Sequence, residues 1–143
     1  MPLETEQEKR IKESSSKILR VMILDDEPIV GRRLQQALSK HGFEMEIFED
    51  PIKAVSRLGE IHFDIVVTDM RMEEMNGIDI LEYVNANSPN TRVILITGYA
   101  TVEVAREALV KGAFDFIAKP FKPSDLRSVL NEAVLSLGYD GIL

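Results

Sequence analysis

Five short apolar runs, each followed by a polar residue and then a helix-like segment, constrain the fold of this chain more than any other feature. Residues 18–24 (ILRVMIL), 44–48 (EMEIF), 64–68 (DIVVT), 92–96 (RVILI) and 114–118 (FDFIA) have strand length and many branched aliphatics. Between the first two, residues 28–41 carry Val30, Leu34, Ala37 and Leu38 at helical spacing. Gly42 then stands where a helix end takes a left-handed residue. Residues 51–58 read as a short helix capped by Asp50, and residues 77–87 as one that stops before Pro89. Residues 101–111 make a helix closed by Gly112. The last helix opens near Pro123 and Ser124, with Leu126, Val129, Leu130, Ala133, Val134 and Leu137 in one stripe.

This alternation predicts an α/β domain: a parallel sheet, right-handed crossovers, and helices covering both faces. The alternating character of residues 44–48 marks that strand as an edge. Residues 1–17 are polar and are expected to form a disordered extension. Residues 18–137 are expected to form the folded domain and residues 138–143 a tail, with no second domain in this chain.

Composition excludes several functions. With no cysteine, disulfides and thiolate metal sites are ruled out. A formal net charge of −7 argues against a nucleic-acid surface, which is normally basic. No apolar run approaches the roughly 20 residues of a membrane span, and the N-terminus lacks the apolar core of a signal peptide. A cytoplasmic location is the default expectation.

The chemistry is expected where the strands end. The first run meets Asp25 and Asp26, the third Asp69, the fourth Thr97 and the fifth Lys119. In open parallel sheets, ligands bind outside the carboxyl ends of the strands, so these side chains should share one crevice. Any one of them has a plainer reading. Thr97 could cap the next helix, Phe116 could be a core aromatic, Lys119-Pro120 a turn, and Tyr99 a surface residue. The set as a whole is harder to explain that way. Two carboxylates about 4 Å apart repel by about 4 kcal/mol near a protein surface. Three acids facing a single lysine call for a proton or a hard cation with oxygen ligands, such as Mg²⁺.

The segments LDDEP, VVTDMRM, MNG, ILITGYA and GAFDFIAKPF, in this order, resemble the receiver domains of two-component response regulators. The resemblance spans about residues 18 to 137. It implies a doubly wound, flavodoxin-like sheet of order 2-1-3-4-5, a case that illustrates the strand-end rule itself. It implies that Asp69 is the phosphoacceptor and that Mg²⁺ (or Mn²⁺) is held by Asp25, Asp26, Asp69 and the backbone carbonyl of Arg71. Thr97, Gly98 and Lys119 would bind the phosphoryl group, and Thr97 and Phe116 would switch together. The Lys119–Pro120 bond is cis in the family. The implied partners are a sensor histidine kinase or phosphotransfer protein as donor, an output partner on the fourth helix, fifth strand and fifth helix, and a phosphorylation-dependent homodimer. No direct nucleic-acid or membrane binding is implied. The segment from Thr97 to Phe121 looks most similar to receivers attached to transcriptional activators, and whether the chain stands alone or is part of a larger regulator is left open.

The chain departs from the family pattern at Glu73, where many receivers have proline after the equivalent of Met72. Arg71, Glu73 and Tyr99 flank the site and are expected to set the lifetime of the phosphorylated form. Two other functions fit these residues less well. A Mg²⁺-dependent phosphotransferase with an aspartyl-phosphate intermediate usually carries a second acid two residues after the nucleophile, where this chain has Arg71. A binding module that takes no phosphate would not need the complete acid, threonine and lysine set. A dinucleotide site would need a glycine-rich turn where the chain has DDEP.

Overall fold

In a computed structural model, which describes residues 18–99 and 101–141, the chain forms one five-stranded parallel sheet. The strands are β1 (Arg20–Leu24), β2 (Glu44–Phe48), β3 (Ile65–Asp69), β4 (Arg92–Thr97) and β5 (Asp115–Ala118). The helices are α1 (Pro28–Leu38), α2 (Pro51–Leu58), α3 (Gly77–Asn87), α4 (Val102–Val110) and α5 (Pro123–Ser136). The sheet order is β2-β1-β3-β4-β5, as expected for a doubly wound sheet, and β2 lies at an edge. Residues 1–17 lie outside the described residues.

Successive side chains of a strand point to opposite faces, so the central strands supply two cores. Val21, Ile23, Ile65, Val67, Ile94 and Ile96 pack against Leu34 and Leu38 of α1 and the Leu126–Leu130–Ala133–Val134 stripe of α5. Met22, Leu24, Val66, Val93 and Leu95 pack against Ala54 of α2, Ile80, Leu81 and Val84 of α3, and Ala108 of α4. Runs that are apolar throughout are what a sheet covered on both sides requires.

The helix ends follow the expected punctuation. The Asp50 side chain accepts from the Ile52 N–H at 2.9 Å. After α1 a 3₁₀ turn (Ser39–His41) leads into Gly42 at φ 77°, and Gly112 after α4 has φ 99°. Past α5 the chain turns back at Gly138, and Tyr139 lies against the α1–α5 core. Of the expected tail, residues 142–143 lie outside the described residues.

Gly31 lets α1 approach the edge strand. A Cβ there would lie 2.5 Å from the Ile47 Cγ2, and its other near contacts are also with Ile47 alone. Gly31→Ala should therefore cost about 1–3 kcal/mol by overpacking. Ile47→Ala in the same chain should recover part of that loss. Urea unfolding of the two single variants and the double variant measures the coupling, and strictly additive costs would rule out this contact.

Candidate functional site

The polar residues converge because each strand delivers one to the same edge of the sheet. Asp25 follows β1 directly, and its N–H bonds the Phe48 carbonyl at 3.0 Å. Asp69 and Thr97 are the last residues of β3 and β4. Both strands run one residue beyond the expected ends, because the ladder continues through the Asp69–Ile96 and Thr97–Ala118 pairs. Lys119 follows β5, donates its N–H to the Thr97 carbonyl at 2.7 Å, and is joined to Pro120 by a cis peptide bond.

Lys119 is the centre of the cluster. Its Nζ lies 3.0 Å from Asp25 Oδ2, 3.6 Å from Asp69 Oδ2 and 4.0 Å from Glu27 Oε1. Asp25 also accepts the Glu27 N–H through Oδ1 at 2.9 Å, so both of its oxygens are engaged. Asp25 and Asp69 are buried, whereas Asp26 and Glu27 are exposed. Burial pushes the Asp69 carboxyl above its ordinary value, and the charge of Asp25 adds to this. The Lys119 ammonium and the Arg71 N–H pull the other way, and Asp26 adds a smaller upward push. For Lys119, burial opposes the charge, but the hydrogen bond to Asp25 and the charges of Asp25, Asp69 and Glu27 outweigh it. The Lys119 ammonium is held above its ordinary value.

Glu27 was missed in the sequence, where a glutamate just before a helix reads as an ordinary first-turn acid. One carboxylate oxygen each from Asp25, Asp26 and Glu27 lies within 4.8 Å of the others. Asp25, Glu27 and Asp69 therefore face a single lysine, Asp26 lies beside the first two, and the carboxylates offer oxygen donors. That set suits a hard divalent cation. Glu73 lies close by. It shares a cleft with Asp26, Glu49, Asp50, Pro51, Met72 and Glu74.

The loop after Asp69 is pinned at both ends. The Met70 N–H donates to the Ile96 carbonyl and the Gly77 N–H to the Met70 carbonyl, each at 2.8 Å. Asn76 and Asp79 then cap α3 reciprocally, side chain to backbone, at 2.9 and 3.0 Å. Within this frame the Arg71 guanidinium carbon sits 3.5 Å from the centroid of the Tyr99 ring. The two expected flanking residues thus form a cation–π pair. Thr97 does not cap the next helix. Its hydroxyl accepts the Tyr99 N–H at 3.0 Å, and Thr101 caps α4 by accepting the Val104 N–H at 3.2 Å. A Cβ at Gly98 would meet nothing within 4 Å, so the space beside its backbone is open. Phe116 pairs with Leu95 and packs against the α2–α3–α4 core. By strand periodicity, Thr97 lies on the same face of the sheet as Leu95, one step from Phe116.

A doubly wound sheet with an acid cluster, a threonine and a lysine at its strand ends defines a class of phosphoacceptor signalling domains. Residues 21–131 match the family model described as the response regulator receiver domain, and this chain belongs to that family. It is 41% identical over 117 residues, 82% of the chain, to the regulatory protein AtoC of Escherichia coli (strain K12), covering 25% of that protein. It is 35% identical to the C4-dicarboxylate transport transcriptional regulatory protein DctD of Rhizobium meliloti (strain 1021), over 71% of the chain and 22% of that protein. The chain thus spans about a quarter of the length of these relatives, which are response regulators attached to transcriptional activators. Among solved structures it is similar to a CheY-like receiver from Methanospirillum hungatei JF-1, with a TM-score of 0.81 at 27% identity. That match covers 85% of this chain and 98% of the other. It also resembles the beryllofluoride-activated NtrC4 receiver domain dimer, with a TM-score of 0.79 at 29% identity over 82% of this chain and 98% of that one. Receiver domains are phosphorylated on aspartate, act as phosphoacceptors rather than as classical enzymes, and generally bind Mg²⁺ in an acidic pocket. Among the described residues, no helix is long and apolar enough to cross a membrane.

Proposed function

We propose that residues 18–137 form a receiver whose phosphoacceptor is Asp69, and the observation that carries this is Lys119 reaching both Asp25 and Asp69. A carboxylate oxygen of Asp69 attacks the phosphorus of a phosphohistidine on a sensor kinase or phosphotransfer protein. The new P–O bond forms as the P–N bond breaks, and the imidazole leaves with the bonding pair and is protonated. Asp25, Asp26, Asp69 and the Arg71 carbonyl would hold Mg²⁺ or Mn²⁺. A cation bound there supplies positive charge opposite the oxygens of the transferring group.

The chain's own groups take up the rest of the added negative charge. Lys119 is held charged 3.6 Å from Asp69 Oδ2, where its ammonium can donate to an oxygen of a phosphoryl group on that carboxylate. The Thr97 hydroxyl and the Gly98 N–H supply donors beside it, and the open space at Gly98 leaves room for them. As the Thr97 side chain turns inward, Phe116 on the same face follows. The change is then read at α4, β5 and α5, where Val102, Leu109 and Val110 are exposed apolar side chains. A second copy of the chain or an output domain would cover them, and the beryllofluoride-activated NtrC4 receiver domain is itself a dimer.

Incubation with acetyl phosphate and Mg²⁺ should add one phosphoryl group to the chain by intact mass, with none added to Asp69→Asn. Identical mass gain in the two proteins, or no gain in either, would remove Asp69 from this role.

Arg71, two residues after Asp69 and stacked on Tyr99, and Glu73 in the same loop would restrict the approach of water to Asp69. Removing either cover should admit water more readily. Arg71→Asn and Tyr99→Ala should each speed loss of the phosphoryl group, on the order of 3–10-fold, with the double variant no faster than the quicker single one. Rates unchanged in both single variants, measured by phosphate release, would refute the idea.

A further inference from the structure

A groove of about 450 Å³ runs between α1 and the loop that joins β5 to α5. Its first wall is one face of α1, where Val30, Arg33 and Leu34 stand at helical spacing. The opposite wall is made by the rings of Pro120, Phe121 and Pro123, with Lys119 at the head of that loop. Val30 and Phe121 pack against the core under α1 and α5, which holds both walls in place.

The loop wall has few backbone donors to offer. Pro120 and Pro123 carry no N–H. The Lys119 N–H goes to the Thr97 carbonyl at 2.7 Å, and the Lys122 N–H to Asp125 Oδ2 at 2.9 Å. An extended peptide would find no ladder here, so polar contacts fall to side chains. Of the two cations, Lys119 is committed to Asp25 at 3.0 Å and lies 3.6 Å from Asp69. The Arg33 guanidinium is exposed and has neither a carboxylate nor a hydrogen-bond partner among the described residues. In a chain of formal net charge −7, a cation with no acid beside it stands out. A concave, mostly apolar cleft of this size with one charged handle has the make-up of a small-molecule site.

We propose that this groove binds a small amphipathic anion. Its apolar, flat body lies between α1 and the proline-flanked loop, and its carboxylate or similar group pairs with Arg33. An exposed ion pair adds at most about fivefold to affinity, so the apolar body supplies most of the binding. The occupant would sit beside Lys119, the group that also serves Asp25 and Asp69. The inference does not rest on Asp69 being the phosphoacceptor.

A ¹H–¹⁵N NMR titration of the whole chain tests it, with 2-naphthoate as the probe and 2-naphthamide as its uncharged counterpart. Naphthoate should shift the amides of residues 30–34, 119, 121 and 122, and bind about 2–5-fold more tightly than the amide. Arg33→Gln should lower the affinity for naphthoate to that for the amide, which itself stays unchanged. Val30→Asp, which sets a carboxylate on the apolar wall, should weaken naphthoate binding at least tenfold. Amide dispersion checks that this variant is folded, and the exposed Arg33→Gln substitution carries the test on its own if it is not. Equal binding of acid and amide by the unaltered protein overturns the proposal, as does a preference that survives Arg33→Gln. So does a lack of shifts at these residues up to the solubility limit of the probe. Shifts at the same residues on raising the protein concentration without probe would show that a second copy of the chain fills the groove, and would overturn it too.

Discussion

Asp69→Asn should abolish phosphoryl uptake and yet make the protein more stable at neutral pH in a buffer free of divalent cations. The physical reason is the enforced burial of a charge. The Asp69 carboxyl is held above its ordinary value chiefly by burial and then by Asp25, so ionising it opposes folding. A group whose folded value is raised contributes stability that is complete below its unfolded value. That stability is lost as pH rises through the folded value. Asparagine removes the charge but keeps the shape. Its advantage should therefore be absent in acid, emerge above the ordinary carboxylate range, and amount to about 2–4 °C in Tm. Saturating Mg²⁺ should stabilise the unaltered protein more than the variant, by mass action on the folded state, and so narrow or invert the difference. Thermal unfolding across pH, with and without Mg²⁺, measures all of this. A variant less stable than the parent at neutral pH without divalent cations would show that Lys119 more than repays the burial of Asp69.

Gly77→Ala should be the most damaging single change away from the charged groups themselves. A Cβ at this first residue of α3 would lie 2.7 Å from the Asp69 carbonyl oxygen, 2.9 Å from Met70 Cα and 2.9 Å from Leu95 Cδ2. Two of those neighbours are backbone, and they belong to the proposed phosphoacceptor and the residue after it. The helix start or the acceptor loop has to shift. The expected cost is about 2–4 kcal/mol, with Tm lower by roughly 6–12 °C and phosphorylation by acetyl phosphate slowed by at least tenfold. Leu95→Ala should not rescue it, because it relieves the side-chain contact and leaves both backbone ones. Recovery to the stability of Leu95→Ala alone would mean that Leu95, and not the loop, sets the limit at Gly77. This contrasts with Gly31, whose obstruction is a single side chain.

The alternation of apolar runs and helical stripes made the fold legible. Gly42 and Gly112 stop helices by adopting positive φ, and Asp50 caps α2, each a local effect that sequence spacing carries well. The convergence of Asp25, Asp69, Thr97 and Lys119 was legible for a different reason: parallel strands must end together. What escaped was whatever depends on reach across loops. Glu27 joins the cluster because the Lys119 side chain extends 4.0 Å short of it, which no spacing reveals. Arg71 and Tyr99 were each expected near the site, but their stacking depends on how two loops face each other. Two threonines stood near the start of α4, and only the backbone shows that Thr101 caps the helix and leaves the Thr97 hydroxyl to the Tyr99 N–H.

The two cores share a sheet but draw on opposite sets of its side chains. Among the described residues the cluster under α5 and the one under α3 and α4 have no member in common, and separate damage of this kind should sum rather than compound. For a lineage that means modular tolerance. Each half can accumulate compensating changes within its own packing.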